Sequence, residues 1–189
     1  KFALAKSLLE SKDRQDDLIR IEELSPAFSR HICEHLIHAP KQATSRSSKF
    51  LEGCRKFNSG EISQLELDKI TTSIGFNNVI DAFHIVNQGE IPQRFFIDER
   101  RENNGIRLTD NLFELLHDSQ MHSFGLEVEA RWRLVETAWA MNISQNLMEV
   151  TYQSTDKLLT VVKGKRRVNV TSCKSALNGY QKGHCFYCF

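Results

Sequence analysis

The sequence predicts an α+β protein that is predominantly α-helical. Apolar residues recur at helical spacing through much of residues 2–141, and short stretches rich in β-branched and aromatic residues interrupt and follow them. The composition agrees, because 40% hydrophobic and 26% charged residues with only 3 Pro and 9 Gly are typical of a globular chain. We expect a multi-helix domain with a small β-hairpin, followed by a β-meander and a helix.

The first half of the chain has the apolar spacing of successive helices, with start and stop signals between them. The most specific signal is the pair Ser63 and Glu66, which matches a capping box. Pro40 and Gly75 are of residue types that end helices. The predicted helices span residues 2–9, 28–36, 47–57, 63–74 and 77–86.

The segment after residue 92 changes pattern. Residues 94–98 and 105–108 are short and β-rich, and the polar turn between them predicts a small hairpin. Thr109 or Asp110 then caps a helix that reaches His117. The longest predicted helix covers residues 126–141, where one apolar stripe is assigned to the core. The stripe consists of Val128, Trp132, Val135 and Trp139.

The C-terminal part alternates again. Residues 147–152 and 158–162 predict two strands of a meander, and residues 166–170 a third. A last helix follows from Thr171 or Ser172 and ends at Gly183. We therefore divide the chain into a helical N-terminal domain, residues 1–143, which would position the protein on DNA or on a partner, and a second region, residues 144–189.

A charge asymmetry distinguishes residues 151–189 from the rest of the chain. Residues 1–150 carry 18 basic and 23 acidic side chains, whereas residues 151–189 carry 7 basic side chains and one acidic side chain, so that the net charges are −5 and +6. Clustered positive charge gains affinity for a polyanion through counterion release, which predicts DNA as a partner. The alternative is a solvated basic face. The predicted nucleic-acid contacts are Lys163, Lys165, Arg166, Arg167, Lys174 and Lys182.

The five cysteines fall into two groups. Cys33, Cys54 and Cys173 stand alone in amphipathic segments, where a reduced thiol packs as a small hydrophobic group. Cys185 and Cys188 have the spacing at which two sulfurs reach one tetrahedral zinc ion. A redox Cys-x-x-Cys would begin a helix, whereas this pair follows one.

The run of residues 181–188, Gln-Lys-Gly-His-Cys-Phe-Tyr-Cys, resembles the entry to the nuclease module of the HNH endonuclease family, where it opens a zinc knuckle. Residues 131–139 are similar to the upstream region of bacterial HNH proteins. The resemblance implies a truncated zinc-knuckle/HNH module, with structural Zn²⁺ held in part by Cys185 and Cys188. It also implies a catalytic divalent cation, Mg²⁺, and a catalytic His beyond Phe189. The parent would then hydrolyse DNA, in bacterial restriction or anti-phage defence, whereas this fragment alone would be inactive.

Two other hypotheses stay open. The first is a non-catalytic helical module for protein interaction or oligomerisation, with a protein partner or a second copy of the chain. The second is a zinc metallopeptidase, because His31, Glu34 and His35 match the H-x-x-E-H signature and His38 extends the same face. The acidic residues downstream show no spacing typical of a third ligand. Weak metal capture without function explains the same histidines.

Other function classes lack support. The sequence contains no G-x-G-x-x-G, Walker or G-x-S-x-G motif. No apolar run approaches the roughly 20 residues that span a bilayer, and the first residues lack the apolar core of a signal peptide. We therefore expect a cytoplasmic protein without a membrane partner.

Overall fold

The predicted fold class, predominantly helical α+β, is confirmed by the structure, a computed structural model. It is built of α-helices with small antiparallel sheets. The structure describes residues 1–14, 16–45, 47–86, 89–117, 121–142, 150–153 and 158–161.

The chain divides into two compact units, residues 1–128 and residues 129–189. This division falls inside the helix that spans residues 121–140. The functional boundary at residue 143 borders residues outside the described part of the chain, and the division into residues 1–143 and 144–189 stays a prediction.

The first helix, α1 (Phe2–Leu9), has the predicted bounds. The next, α2 (Ile21–His38), begins seven residues earlier than predicted and continues through Pro26. Its start is stabilised by Glu23, whose carboxylate accepts a hydrogen bond from the backbone N–H of Arg20 at 2.8 Å. The end of α2 before Pro40 is as predicted.

Two further helices follow the predicted pattern. Ser48 caps α3 (Lys49–Asn58) by accepting a hydrogen bond from the backbone N–H of Leu51. The capping box of Ser63 and Glu66 is confirmed at the start of α4 (Gln64–Ile70), which continues into a π-helical turn (Thr71–Gly75). Burial of three aromatic side chains joins these helices: the Phe28 ring centroid lies 5.5 Å from that of Phe50 and 4.6 Å from that of Phe76.

The helix predicted for residues 77–86 is wrong beyond residue 82. The structure has a short helix, α5 (Val79–Ala82), and then a small hairpin of β2 (Ile85–Val86) and β3 (Gly89–Glu90). The chain turns at His84, because its backbone carbonyl accepts from Ile91 N–H and its ring accepts from Phe95 N–H. Both partners of His84 lie beyond residue 86, so the apolar spacing of residues 77–86 does not indicate this turn.

The predicted hairpin of residues 94–108 is confirmed, and it gains a third strand. β4 (Phe96–Glu99) and β5 (Gly105–Leu108) are antiparallel and joined by α6 (Arg100–Asn103). β1 (Leu18–Arg20) pairs with the other edge of β5, with Ile19 opposite Ile106 and Arg20 opposite Gly105. The sequence analysis missed β1.

Two helices and a hairpin complete the described elements. α7 (Asp110–His117) ends where predicted, and α8 (Met121–Ala140) contains the predicted apolar stripe. Only Trp132 of that stripe is fully buried, at 3% exposed, so its assignment to the core is only partly right. β6 (Val150–Gln153) pairs antiparallel with β7 (Leu158–Val161), as the meander requires. The predicted third strand and last helix lie outside the described residues.

Candidate functional site

The predicted zinc and DNA-binding residues lie outside the described part of the chain. They are Cys185, Cys188, Lys163, Lys165, Arg166, Arg167, Lys174 and Lys182. Of the C-terminal region the structure describes β6 and β7, which precede them. The zinc knuckle and the basic contact surface therefore stay predictions.

The H-x-x-E-H residues lie on α2, and the structure gives His31 a structural partner. His31 and His35 are buried, whereas Glu34 and His38 are exposed. His31 Nε2 lies 2.7 Å from Glu10 Oε1, at the C-terminal end of α1, and Glu10 also accepts from Arg30 at 2.6 Å. This hydrogen bond joins the end of α1 to α2 and occupies one of the two ring nitrogens of His31.

The other ring nitrogen of His31 has no close partner. Nδ1 is buried and lies 3.6 Å from Glu34 Oε2, which is too long for a hydrogen bond. Burial lowers the pKa of His31, and the Lys6 charge adds to this effect, whereas Glu10 acts against it. Within the described residues, no group of three or more His, Cys, Asp and Glu side chains is placed to hold a metal ion.

A groove of about 530 Å³ lies between α2, α3 and α4. Its lining contains apolar residues and a few charged ones. Of these, Arg30 is positive, whereas Glu34 and Asp68 are negative. Ile37 lines the groove and is 66% exposed, and Leu65, which follows the lining residue Gln64, is 65% exposed. The remaining lining residues are Pro26, Ala27, Cys33, Phe57, Asn58 and Leu67.

The structure brings together two cysteines that the sequence treated separately. Cys33 on α2 and Cys54 on α3 are both buried and reduced, and Cys33 Sγ donates to the carbonyl oxygen of Cys54 at 3.8 Å. Their packing as small buried groups is confirmed, but they do not stand alone. A sequence signal existed, since each lies on the apolar face of one of two consecutive helices, and such faces pack together. Cys173 lies outside the described residues.

His84 is a third buried histidine, and the sequence analysis missed it. Its Nε2 accepts a hydrogen bond from the backbone N–H of Phe95 at 3.0 Å, so this nitrogen is unprotonated and the ring is neutral. The ring packs against Phe96, with centroids 4.5 Å apart. Burial lowers the pKa of His84, and the charge of Arg94 lowers it further.

Two arginines, one on β5 and one on the connecting helix α6, are bound by carboxylates. Arg107 contacts Glu99 at 2.6 Å and Asp17 at 2.7 Å. Arg100 contacts Asp98 at 2.7 Å and also pairs with Asp81. These pairs hold the pKa values of Asp98 and Glu99 below their usual range. A phosphate approaching this surface would meet carboxylates beside each guanidinium, which opposes DNA binding here.

Comparison with known proteins finds no similar protein: no protein-family model matches the chain, and no curated protein or solved structure is significantly similar to it. In the described part of the chain, no helix combines the length and apolar character needed to cross a bilayer.

Proposed function

We propose that the chain is the N-terminal portion of a metal-dependent HNH endonuclease that hydrolyses DNA phosphodiesters, in bacterial restriction or anti-phage defence. The observation that carries this proposal is the run Gln181–Cys188, which resembles the start of the HNH zinc knuckle. The described elements are compatible with it, because the β6–β7 hairpin comes before this run, as the predicted meander requires.

In this proposal Cys185 and Cys188 supply half of a structural Zn²⁺ site. The catalytic His and the other zinc ligands belong to residues after Phe189. In the complete protein a bound divalent cation, Mg²⁺, would stabilise the charge that develops on the phosphate oxygens. The role of this chain in the proposal is to form the first half of the zinc knuckle and to bind DNA.

The distribution of charge supports DNA contact from the C-terminal segment. Residues 151–189 carry a net charge of +6. Arg107 on β5 and Arg100 on α6, in contrast, are already paired with carboxylates. The turn at residues 163–167, which contains four basic side chains, would contact phosphates without reading bases.

A nicking assay on the longer parent polypeptide tests the endonuclease. With supercoiled plasmid and Mg²⁺ we expect nicked and linear products, and loss of cleavage together with loss of bound zinc in Cys185→Ser and Cys188→Ser. Cys173→Ser is the matched control, and it should keep both zinc and activity. Cleavage that survives the double substitution with zinc absent, or a parent that never cuts, contradicts the proposal.

A further inference from the structure

One face of α2 lies open along the groove between α2, α3 and α4. Four residues of this face line the groove, and their spacings of three and four residues place them in one stripe along the helix. The α2 stripe consists of Ala27, Arg30, Glu34 and Ile37. Ile37 is 66% exposed, and Leu65, beside the groove on α4, is 65% exposed. Large apolar side chains left in water beside one groove are typical of an interaction surface.

The α2 stripe has charges and sizes that are balanced about its centre. Arg30 and Glu34 lie two residues before and after residue 32, and Ala27 and Ile37 lie five residues before and after it. The rise of an α-helix places the charged pair about 3 Å and the outer pair about 7–8 Å from the level of residue 32. The stripe is therefore complementary to a second copy of itself that runs in the opposite direction.

A two-fold axis at the level of residue 32 would bring unlike side chains together. With two α2 helices antiparallel, Arg30 of each copy lies opposite Glu34 of the other, so the ion pair forms twice. Ile37 of each copy lies against the small side chain of Ala27 of the other. A parallel arrangement would instead place Arg30 on Arg30 and Glu34 on Glu34, and like charges oppose association.

Both charged side chains of the α2 stripe are accessible. The Arg30 side chain is 52% exposed, although it donates a hydrogen bond to Glu10 at 2.6 Å. A guanidinium has five N–H donors, so it can bind a second carboxylate. The Glu34 side chain is 55% exposed, and its Oε2 lies 3.6 Å from His31 Nδ1, beyond hydrogen-bond distance.

We propose that the α2 stripe is the interface of a symmetric homodimer, in which α2 of each copy lies antiparallel along the groove of the other. The groove, of about 530 Å³, receives the Ile37 side chain of the second copy. Because each copy offers few exposed apolar side chains, the interface is weak, with a Kd of roughly 10–100 µM. At lower concentrations the chain is a monomer with Ile37 in water. This interface does not depend on the nuclease function.

Sedimentation equilibrium of the reduced 189-residue chain, from about 1 to 500 µM, tests the homodimer. We expect the mass to rise from that of one chain toward that of two. Ile37→Asp should stay a monomer throughout, because a carboxylate would be buried against Ala27. Ile97→Asp is the matched control, since Ile97 is a 49% exposed residue on β4, and it should dimerise as the wild type does. A wild type that stays monomeric, or a folded Ile37→Asp that dimerises undiminished, would overturn the proposal.

A charge exchange tests the antiparallel pairing. Arg30→Glu and Glu34→Arg should each weaken the dimer by about tenfold or more, because each places two pairs of like charges at the interface. An equal mixture of the two variants should regain the wild-type affinity, since the acidic pair of one copy then meets the basic pair of the other. Arg101→Glu, an exposed change on α6, should leave the dimer unaltered.

The same mixture gives the contradicting result. Circular dichroism shows whether both variants are folded, which matters because Arg30→Glu also removes the hydrogen bond to Glu10. Folded variants that remain monomeric when mixed would refute the pairing of Arg30 with Glu34. The Ile37→Asp result decides the proposal if a charge variant does not fold, because that change alters no ion pair within the chain.

Discussion

Two regions of the first unit, the helices α2 to α4 and the three-stranded sheet, are built from different interactions. The helices are joined by buried apolar and aromatic side chains, among them Phe28, Phe50 and Phe76. The sheet also buries apolar side chains, but it adds a short backbone ladder and exposed arginine–carboxylate pairs beside it. Since buried apolar area stabilises a fold more than exposed ion pairs do, we expect truncation of the helical core to cost more than loss of these ion pairs.

The largest effect is expected from Phe28→Ala. This change removes a ring that contacts both Phe50 and Phe76, and the cavity should lower the free energy of unfolding by about 3–5 kcal/mol. Urea denaturation measures the loss. Ile37→Ala on the same helix is the control, and it should change stability by less than about 0.5 kcal/mol because Ile37 is exposed. Equal losses in the two variants would contradict the assignment of the core.

The next effect tests the sheet. A Cβ at Gly105 would clash with the backbone carbonyl of Ile19 on β1, so Gly105→Ala should lower stability by about 1–3 kcal/mol. Thermal unfolding measures it. Gly125→Ala is the matched control, because nothing lies near its added methyl group and alanine favours α8. A neutral Gly105→Ala would show that β1 does not pair closely with β5.

Acid should destabilise the contact between α5 and β4 through His84. Its pKa is lowered in the folded state, so the unfolded chain binds the proton more strongly. Stability is therefore complete above about pH 6.5 and falls as the pH decreases toward the folded-state pKa. Urea unfolding at a series of pH values measures this fall.

The variant His84→Gln separates this contribution from that of His31. The pKa of His31 is also lowered, so it acts in the same direction at the α1–α2 contact. His84→Gln should have a shallower pH dependence than the wild type. An identical pH dependence would remove His84 as a source of the acid sensitivity.

The smallest effect is expected from the exposed ion pairs beside the sheet. Arg100→Gln removes the pairs with Asp98 and Asp81 and should lower stability by at most about 1 kcal/mol at low salt. The difference from the wild type should shrink as sodium chloride screens the charges. Thermal melts at two salt concentrations measure this. A loss as large as that of Phe28→Ala would reverse the comparison between the two regions.

The parts of the fold that depend on residues close together in the sequence were predictable. The capping box of Ser63 and Glu66 and the hairpin of β4 and β5 are local features, and both were predicted. β1 was missed because three residues are too few to show alternation and their partner strand is distant in the sequence. Pro26 obscured the start of α2, since a proline inside a helix removes a hydrogen-bond donor.

The candidate sites also divide into local sequence features and contacts between distant residues. The resemblance of Gln181–Cys188 is local in sequence and lies outside the described residues, so the zinc site stays a prediction. The meeting of Cys33 and Cys54 depends on how α2 packs against α3, and helix spacing alone does not fix which buried side chains touch. The hydrogen bond of His84 with Phe95 is likewise a tertiary contact.

The most direct test of the functional account on this chain is its affinity for duplex DNA as a function of salt. We expect log affinity to fall linearly with log salt, and Lys165→Ala, Arg166→Ala and Arg167→Ala together to reduce the slope by about 2–3 units. The control replaces three exposed basic residues of the first unit, Lys12, Lys69 and Arg101, by Ala and should keep the slope. Undetectable binding at low salt, or equal loss in both triple variants, would contradict the nuclease account and favour a helical interaction or oligomerisation module.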